Sequence, residues 1–216
     1  HKNIIKYWED IYALVRDMGD FLYIYDKVPF SHAGVKTFDY RELMNNNGFF
    51  DKNKIKACRD YPLSFLKTSV QDNLLDKANE LLQKEYFKFN IDLNIKLRII
   101  STIFNLDKEI IMLLQRFDYP FMVPKIIIYN STERSFSVED YITIALLNAM
   151  GMDIIILSPT GYNNIENGIK NSLFDIHNLE DVRFDLVISK EISREIKRRK
   201  SNQETSLLDK FKSWIK

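Results

Sequence analysis

The stretch KIIIYNSTERSFSVEDYITIALLNAMGMDIIILS, residues 125–158, contains two short apolar runs, 125–130 and 153–158, around a longer apolar segment that ends at Gly151. Short continuous runs of β-branched residues are the pattern of strands buried on both faces. Strands of that kind belong to parallel sheets, whose crossovers lay helices over both faces. The intervening segment supplies such a crossover. Ser137-Val138-Glu139-Asp140 resembles a capping box and predicts a helix over 138–150, stopped by Gly151. Beyond it, the Pro159-Thr160-Gly161 turn predicts a shorter helix at about 162–171, and RFDLVIS, 183–189, predicts a last strand.

Upstream, Pro120 and Pro124 bracket a connector. Residues 4–18 carry Ile4, Trp8, Ile11, Tyr12, Val15 and Met18 at helical spacing, with Gly19 as a stop. FLYIY, 21–25, predicts a strand, and DKVPFSHAG, 26–34, a loop. After the break NNNG at 45–48, the segment 52–118 predicts helices, interrupted at Tyr61-Pro62 and capped at Asp92 and Asp107. Ala13-Leu14 and Met18-Gly19 are echoed by Ala145-Leu146 and Met150-Gly151. The echo places strand 21–25 in the same sheet as the C-terminal strands. The expected fold is therefore α/β: a Rossmann-like, mostly parallel sheet flanked by helices, with a helical insertion. A single domain would span 1–189. It would comprise a first helix–strand unit (1–50), the insertion (51–118) and C-terminal strand–helix units (119–189), followed by a charged, partly helical tail at 190–216.

Composition fits this reading. The chain has 216 residues, 45% hydrophobic and 28% charged, with a net charge of +1. That length can bury a core without cross-links. The charge balance gives no drive toward nucleic acid or anionic membrane. No stretch approaches the ~18 apolar residues of a membrane-spanning helix. One cysteine, Cys58, excludes an internal disulfide and a Cys-rich zinc site, and with no secretory signal the expected location is cytoplasmic.

In open parallel sheets, ligands sit beyond the carboxyl ends of the strands. Three loops qualify. After 125–129 come Asn130, Ser131 and Arg134, the last a potential fork for phosphate or carboxylate. After 153–157 come Ser158, Thr160, Gly161, Asn163 and Asn164, leading into the expected helix, whose N-terminus would favour an anion. After 21–25 comes the loop holding His32. Glu133 and Glu139 are carboxylates that could serve as acid or base if they converged on a ligand. Plain turns and surface charges give the same sequence signals. SPTGYNN is neither a phosphate-binding G-x-x-x-x-G-K-[ST] loop nor a G-x-G-x-x-G turn. His1, His32 and His177 have no metal-ligand spacing, so no metal site is expected, and no cofactor is indicated.

The segment 146–188 resembles the C-terminal region of the bacterial YceG-like family. The resemblance rests on Ser158-Pro159-Thr160-Gly161-Tyr162 with Ile165-Glu166, and on Phe174, His177, Leu179 and Glu180 before the last apolar run. It implies a component of the biosynthetic module found with tellurite-resistance and related stress-response genes, thought to make a small, nucleoside-like metabolite. It carries over no catalytic residue. Members are longer than 216 residues, so the resemblance makes this chain a C-terminal portion or a shortened member.

Two functions follow. In the first, the sheet edge binds a phosphorylated or nucleotide-like molecule for a transferase. Ser158, Thr160, Gly161 and Asn163 cradle the anion, Arg134 neutralises it, and His177 acts as acid or base. In the alternative, the chain is a non-catalytic scaffold for proteins of the same operon or for a missing part of the same chain. The helical insertion and the aromatic tail, with Phe211 and Trp214, would then provide the contact surfaces.

Overall fold

The computed structural model describes residues 4–17, 22–25, 40–118, 120–121, 123–131, 135–162, 164–178, 181–184, 186–195 and 197–198. Three strands form a parallel sheet in the order β1 (Leu22–Tyr25), β2 (Lys125–Tyr129) and β3 (Asp153–Leu157). Leu22 pairs with Lys125 and Tyr25 with Ile128, while Lys125 pairs with Asp153 and Tyr129 with Leu157. The expected partnership of the 21–25 run with the C-terminal strands is therefore present.

β2 is central, and its side chains alternate between two cores. Ile126 and Ile128 enter the larger core, whereas Ile127 enters a smaller one with Tyr7, Ile11, Val15 and Ile192. β3 repeats the division, with Ile154 and Ile156 on the larger side and Ile155 and Leu157 on the smaller. The smaller core is built by α1 (Ile4–Asp17) and by a helical segment at 190–195. Helices thus cover both faces of β2, which explains its unbroken apolar run.

On the larger side, α2 (Lys52–Ala57), α3 (Thr68–Gln83), α4 (Leu93–Phe104) and α5 (Lys108–Arg116) lie between β1 and β2 in the chain. Asp51, Asp92 and Asp107 cap three of them, each side chain accepting amide hydrogen bonds of the first turn. Cys58 caps the C-terminus of α2 and packs partly against the core. α6 (Val138–Ala149) crosses from β2 to β3, and every residue from Asp140 to Leu147 is buried. A helix apolar on all sides needs a partner on all sides, and α6 packs against α3, α4 and β3. The capping box forms as expected: Asp140 N–H donates to Ser137 Oγ, and Ser137 N–H donates to Asp140 Oδ2. Gly151 ends the helix at φ +97°, a left-handed conformation that costs other residues ~1–2 kcal/mol.

Two expected elements differ. Residues 162–171 form no α-helix among the described residues; the chain makes only the 3₁₀ turns Ile165–Asn167 and Asn171–Leu173. Its backbone groups are engaged elsewhere. Lys88 N–H donates to Gly168 O (2.9 Å) and Lys170 N–H to Tyr86 O (2.9 Å), bridging Ile169 to Phe87. Gly168 also lies so close to the Tyr141 ring that a Cβ would come within 2.3 Å of it. The second difference is 183–189, whose described residues form no strand. Leu186 and Ile188 pack into the smaller core with Tyr7 and Val15. The segment therefore lies over a face of the sheet, where no ladder of backbone partners exists.

Gly168→Ala should destabilise the fold by about 1–3 kcal/mol, as overpacking does. Since Gly168 has an ordinary φ of −120°, the cost is one of space. Urea unfolding of Gly168→Ala in a Tyr141→Ala background should recover part of the loss; equal loss in both backgrounds would contradict the packing argument.

Candidate functional site

At the carboxyl end of β3 lies an open cleft of about 180 Å³. Ile156 and Leu157 at the end of β3 and Ser158, Pro159 and Gly161 of the following loop line it. His177, Asn178, Asp181, Val182, Arg183 and Leu186 also line it, together with Ile4 and Tyr7 of α1. This is where the parallel-sheet rule places a ligand.

The loop is shaped by its own hydrogen bonds. Gly161 has φ +63°, and its N–H donates to Ser158 O (3.1 Å). Thr160, 5% exposed, turns its hydroxyl inward to accept from Tyr162 N–H (3.3 Å). Ser158 Oγ donates to Tyr162 O (3.3 Å). The segment carrying Arg183 is fastened to the loop by the Arg183 N–H, which donates to Pro159 O at 2.7 Å. A second fastening comes from the sheet: Tyr129 Oη donates to Leu186 O at 2.6 Å. Burial, with Tyr7 nearby, raises the Tyr129 phenol well above its ordinary value, so it remains a donor. Burial likewise pushes Tyr7 up to about 12.

Three residues expected from sequence meet here: Ser158, Gly161 and His177 all line the cleft. Others do not reach it. Thr160 supports the loop from beneath. Asn164, 2% exposed, accepts from Ile165 N–H and donates to Tyr162 O, which is a structural role. Asn130, 1% exposed, donates its backbone N–H to Leu157 O under the loop. Ser131 is half-buried and away from the cleft lining. Arg134, Asn163, His32 and Glu133 lie outside the described residues. Glu139 makes a bidentate bond with Arg98 (2.7 and 2.8 Å), tying α6 to α4.

The expected electrostatics change with the missing helix. A three-residue 3₁₀ turn presents no helix N-terminus of consequence, so the dipole argument for an anion does not apply after Ser158. Charge comes instead from Asp181 and Arg183, neither of which the sequence reading named as a site residue; Arg183 fell within the 183–189 run assigned to a strand. Neither makes an ion pair with a described residue. The available signal was Asp181-Val182-Arg183 set between His177 and an apolar run. No group of three His, Cys, Asp or Glu residues suited to a metal ion occurs among the described residues. No described helix is long and apolar enough to cross a membrane.

Architecture and cleft define an α/β protein with a small parallel sheet flanked by helices and an open cleft at the carboxyl end of its edge strand. The chain belongs to the YceG domain family, whose model matches residues 1–207. It is 29% identical over 157 residues to the uncharacterized protein YceG of Bacillus subtilis (strain 168). That alignment covers 68% of this chain and 28% of the relative, so the chain matches little more than a quarter of the relative's length. No solved structure matches the chain.

The two fastenings make a prediction about the cleft wall. Arg183 is exposed, yet its amide should be protected from hydrogen exchange. Tyr129→Phe, which removes one bond of about 1 kcal/mol, should speed exchange of the 181–187 amides while leaving α6 unchanged. Uniform acceleration throughout the chain would contradict the separate fastening of this wall.

Proposed function

We propose that the chain is the ligand-binding part of a bacterial biosynthetic system linked to tellurite resistance and stress response. It holds a phosphorylated or nucleotide-like small molecule in the cleft at the end of β3 and takes part in a transferase reaction. The observation that carries this reading is the convergence of Ser158, Gly161 and His177 with Asp181 and Arg183 around one opening at a strand carboxyl end. Arg183 takes the neutralising role, its guanidinium suited to a planar pair of oxygens. His177 is the candidate acid or base, since it lines the same cleft and needs only hydrogen-bond reach to a bound substrate. The parallel order β1-β2-β3, with helices on both faces, supports a Rossmann-like relationship and a single α/β domain carrying α2–α5 as an insertion.

A second reading rests on a different observation. Leu173, Ile176, Val182, Phe184 and Val187 are all exposed within one short segment. Crowded exposed apolar residues mark contact surfaces, which favours a scaffold for other proteins of the system.

Thermal unfolding against a panel of nucleotides and sugar phosphates separates the two. A ligand at about 100 times its Kd should add about 2.7 kcal/mol and raise the Tm. Arg183→Ala should reduce that shift without lowering the Tm of the ligand-free protein, whereas Ser158→Ala should reduce it and also lower the ligand-free Tm slightly by removing the bond to Tyr162 O. No shift from any compound would reject the small-molecule reading, and self-association abolished by Phe184→Ser would then support the scaffold.

A further inference from the structure

The net charge of +1 joins two unlike parts. Residues 1–189 carry 22 basic and 26 acidic side chains, whereas residues 190–216 carry nine basic and four acidic. A basic segment at one end of an acidic body points to an anionic partner. The fold orders part of that segment. The helical stretch at 190–195 is fixed by Ile192, 2% exposed in the smaller core. Residues three and four apart share a helix face. Lys190, Arg194 and Lys197 therefore fall in one line on the side away from Ile192, and all three are exposed. Arg198, beside them, pairs with Glu195 through two bonds (2.9 and 2.7 Å). α1, the other helix of this layer, buries Tyr7, Ile11 and Val15. It exposes Ile5 and Tyr12 two turns apart, with Glu9 between them.

Residues 199–216 lie outside the described residues, and their sequence carries a second signal. Leu207, Leu208, Phe211, Trp214 and Ile215 recur at the spacing of one helix face. At the same spacing Lys210 and Lys212 border that stripe and Lys216 falls opposite it. A stretch this short is marginal as a helix in water and needs an apolar surface to form. An apolar stripe with Trp and Phe, bordered by lysines whose stems reach past it to the headgroups, is the composition of helices that lie in a bilayer surface. Nucleic acid would use the cations and leave Leu207, Leu208 and Ile215 unpartnered. An apolar protein surface would use the stripe and leave the cations idle. An anionic lipid surface uses both. The chain between Arg198 and Leu207 extends to at most about 30 Å, so the two parts can meet one plane.

We infer that residues 190–216 dock this protein on an anionic lipid surface, with Lys190, Arg194 and Lys197 against the headgroups and the Leu207–Ile215 stripe in the interface. The attachment is independent of the cleft and of any ligand in it.

The test is co-sedimentation of the full chain with vesicles of phosphatidylcholine alone or of equal parts phosphatidylcholine and phosphatidylglycerol. Binding to the mixed vesicles should exceed binding to phosphatidylcholine at least tenfold and fall as salt is raised. Arg194→Gln with Lys197→Gln should weaken it about 25-fold, since each cation near such a surface contributes about fivefold. Arg59→Gln with Lys67→Gln removes the same charge from exposed positions elsewhere and should leave binding unchanged. Phe211→Ala with Trp214→Ala should weaken it at least tenfold. In a Trp8→Phe protein, whose remaining tryptophan is Trp214, emission should shift to the blue on the mixed vesicles. Equal binding to both kinds of vesicle, binding to neither, equal losses from the two charge pairs, or an unshifted Trp214 would overturn the inference. So would a duplex oligonucleotide that outcompetes the vesicles and binds the Phe211→Ala, Trp214→Ala protein undiminished.

Discussion

The burial of β2 on both faces is the constraint from which the rest follows. Ile126 and Ile128 commit one face to the helical core around α6, and Ile127 commits the other to α1 and the helical segment at 190–195. A strand so placed cannot alternate with polar residues, and its parallel neighbours need long crossovers. One crossover is α6, buried through most of its length. The other is the chain of helices α2–α5. Both return the chain to the same end of the sheet, so the loops after β2 and β3 emerge side by side. Ser158–Gly161 owes its position to that arrangement, and Tyr129, the last residue of β2, reaches across to hold the opposite wall at Leu186.

The cleft is therefore made from pieces with different origins. Part of its lining comes from regular structure, the end of β3 and α1. Another part is an irregular strap in which, among the described residues, Arg183 N–H bonds to Pro159 O, Leu186 O accepts from Tyr129, and Leu186 and Ile188 pack down.

Where local chemistry and global packing agreed, the sequence was readable. Ile126–Ile128 and Ile154–Ile156 announced their strands because burial on two faces leaves no other composition. Asp92, Asp107 and Ser137 announced helix starts because a capping side chain answers a purely local need. The segment 162–171 misled for the opposite reason. Gly168 is there to pass under Tyr141, and the backbone of 168–170 bonds to Tyr86 and Lys88, distant partners that no local pattern displays. RFDLVIS misled because an apolar run lying on a face of the sheet has the same composition as one hydrogen-bonded at its edge. The cleft was legible in the same proportion. The rule of strand carboxyl ends pointed to the loop of Ser158 and Gly161, which lines the cleft together with His177. Arg183 was hidden by the assignment of 183–189 to a strand, Asp181 sat in the loop before it, and the described residues of 162–171 form no α-helix to supply the dipole invoked for the anion. Thr160 and Asn164 are polar loop residues whose side chains hold the loop together rather than face a ligand.

The central claim is that the opening between Ser158–Gly161 and His177–Arg183 is a ligand site. The most direct measurement is the change in backbone amide resonances of the full chain on titration with nucleotides and sugar phosphates. Saturable shifts concentrated at Ser158, Gly161 and 177–183, with α3 and α4 unmoved, are the predicted result. Shifts centred elsewhere, or none at millimolar ligand, would contradict the claim.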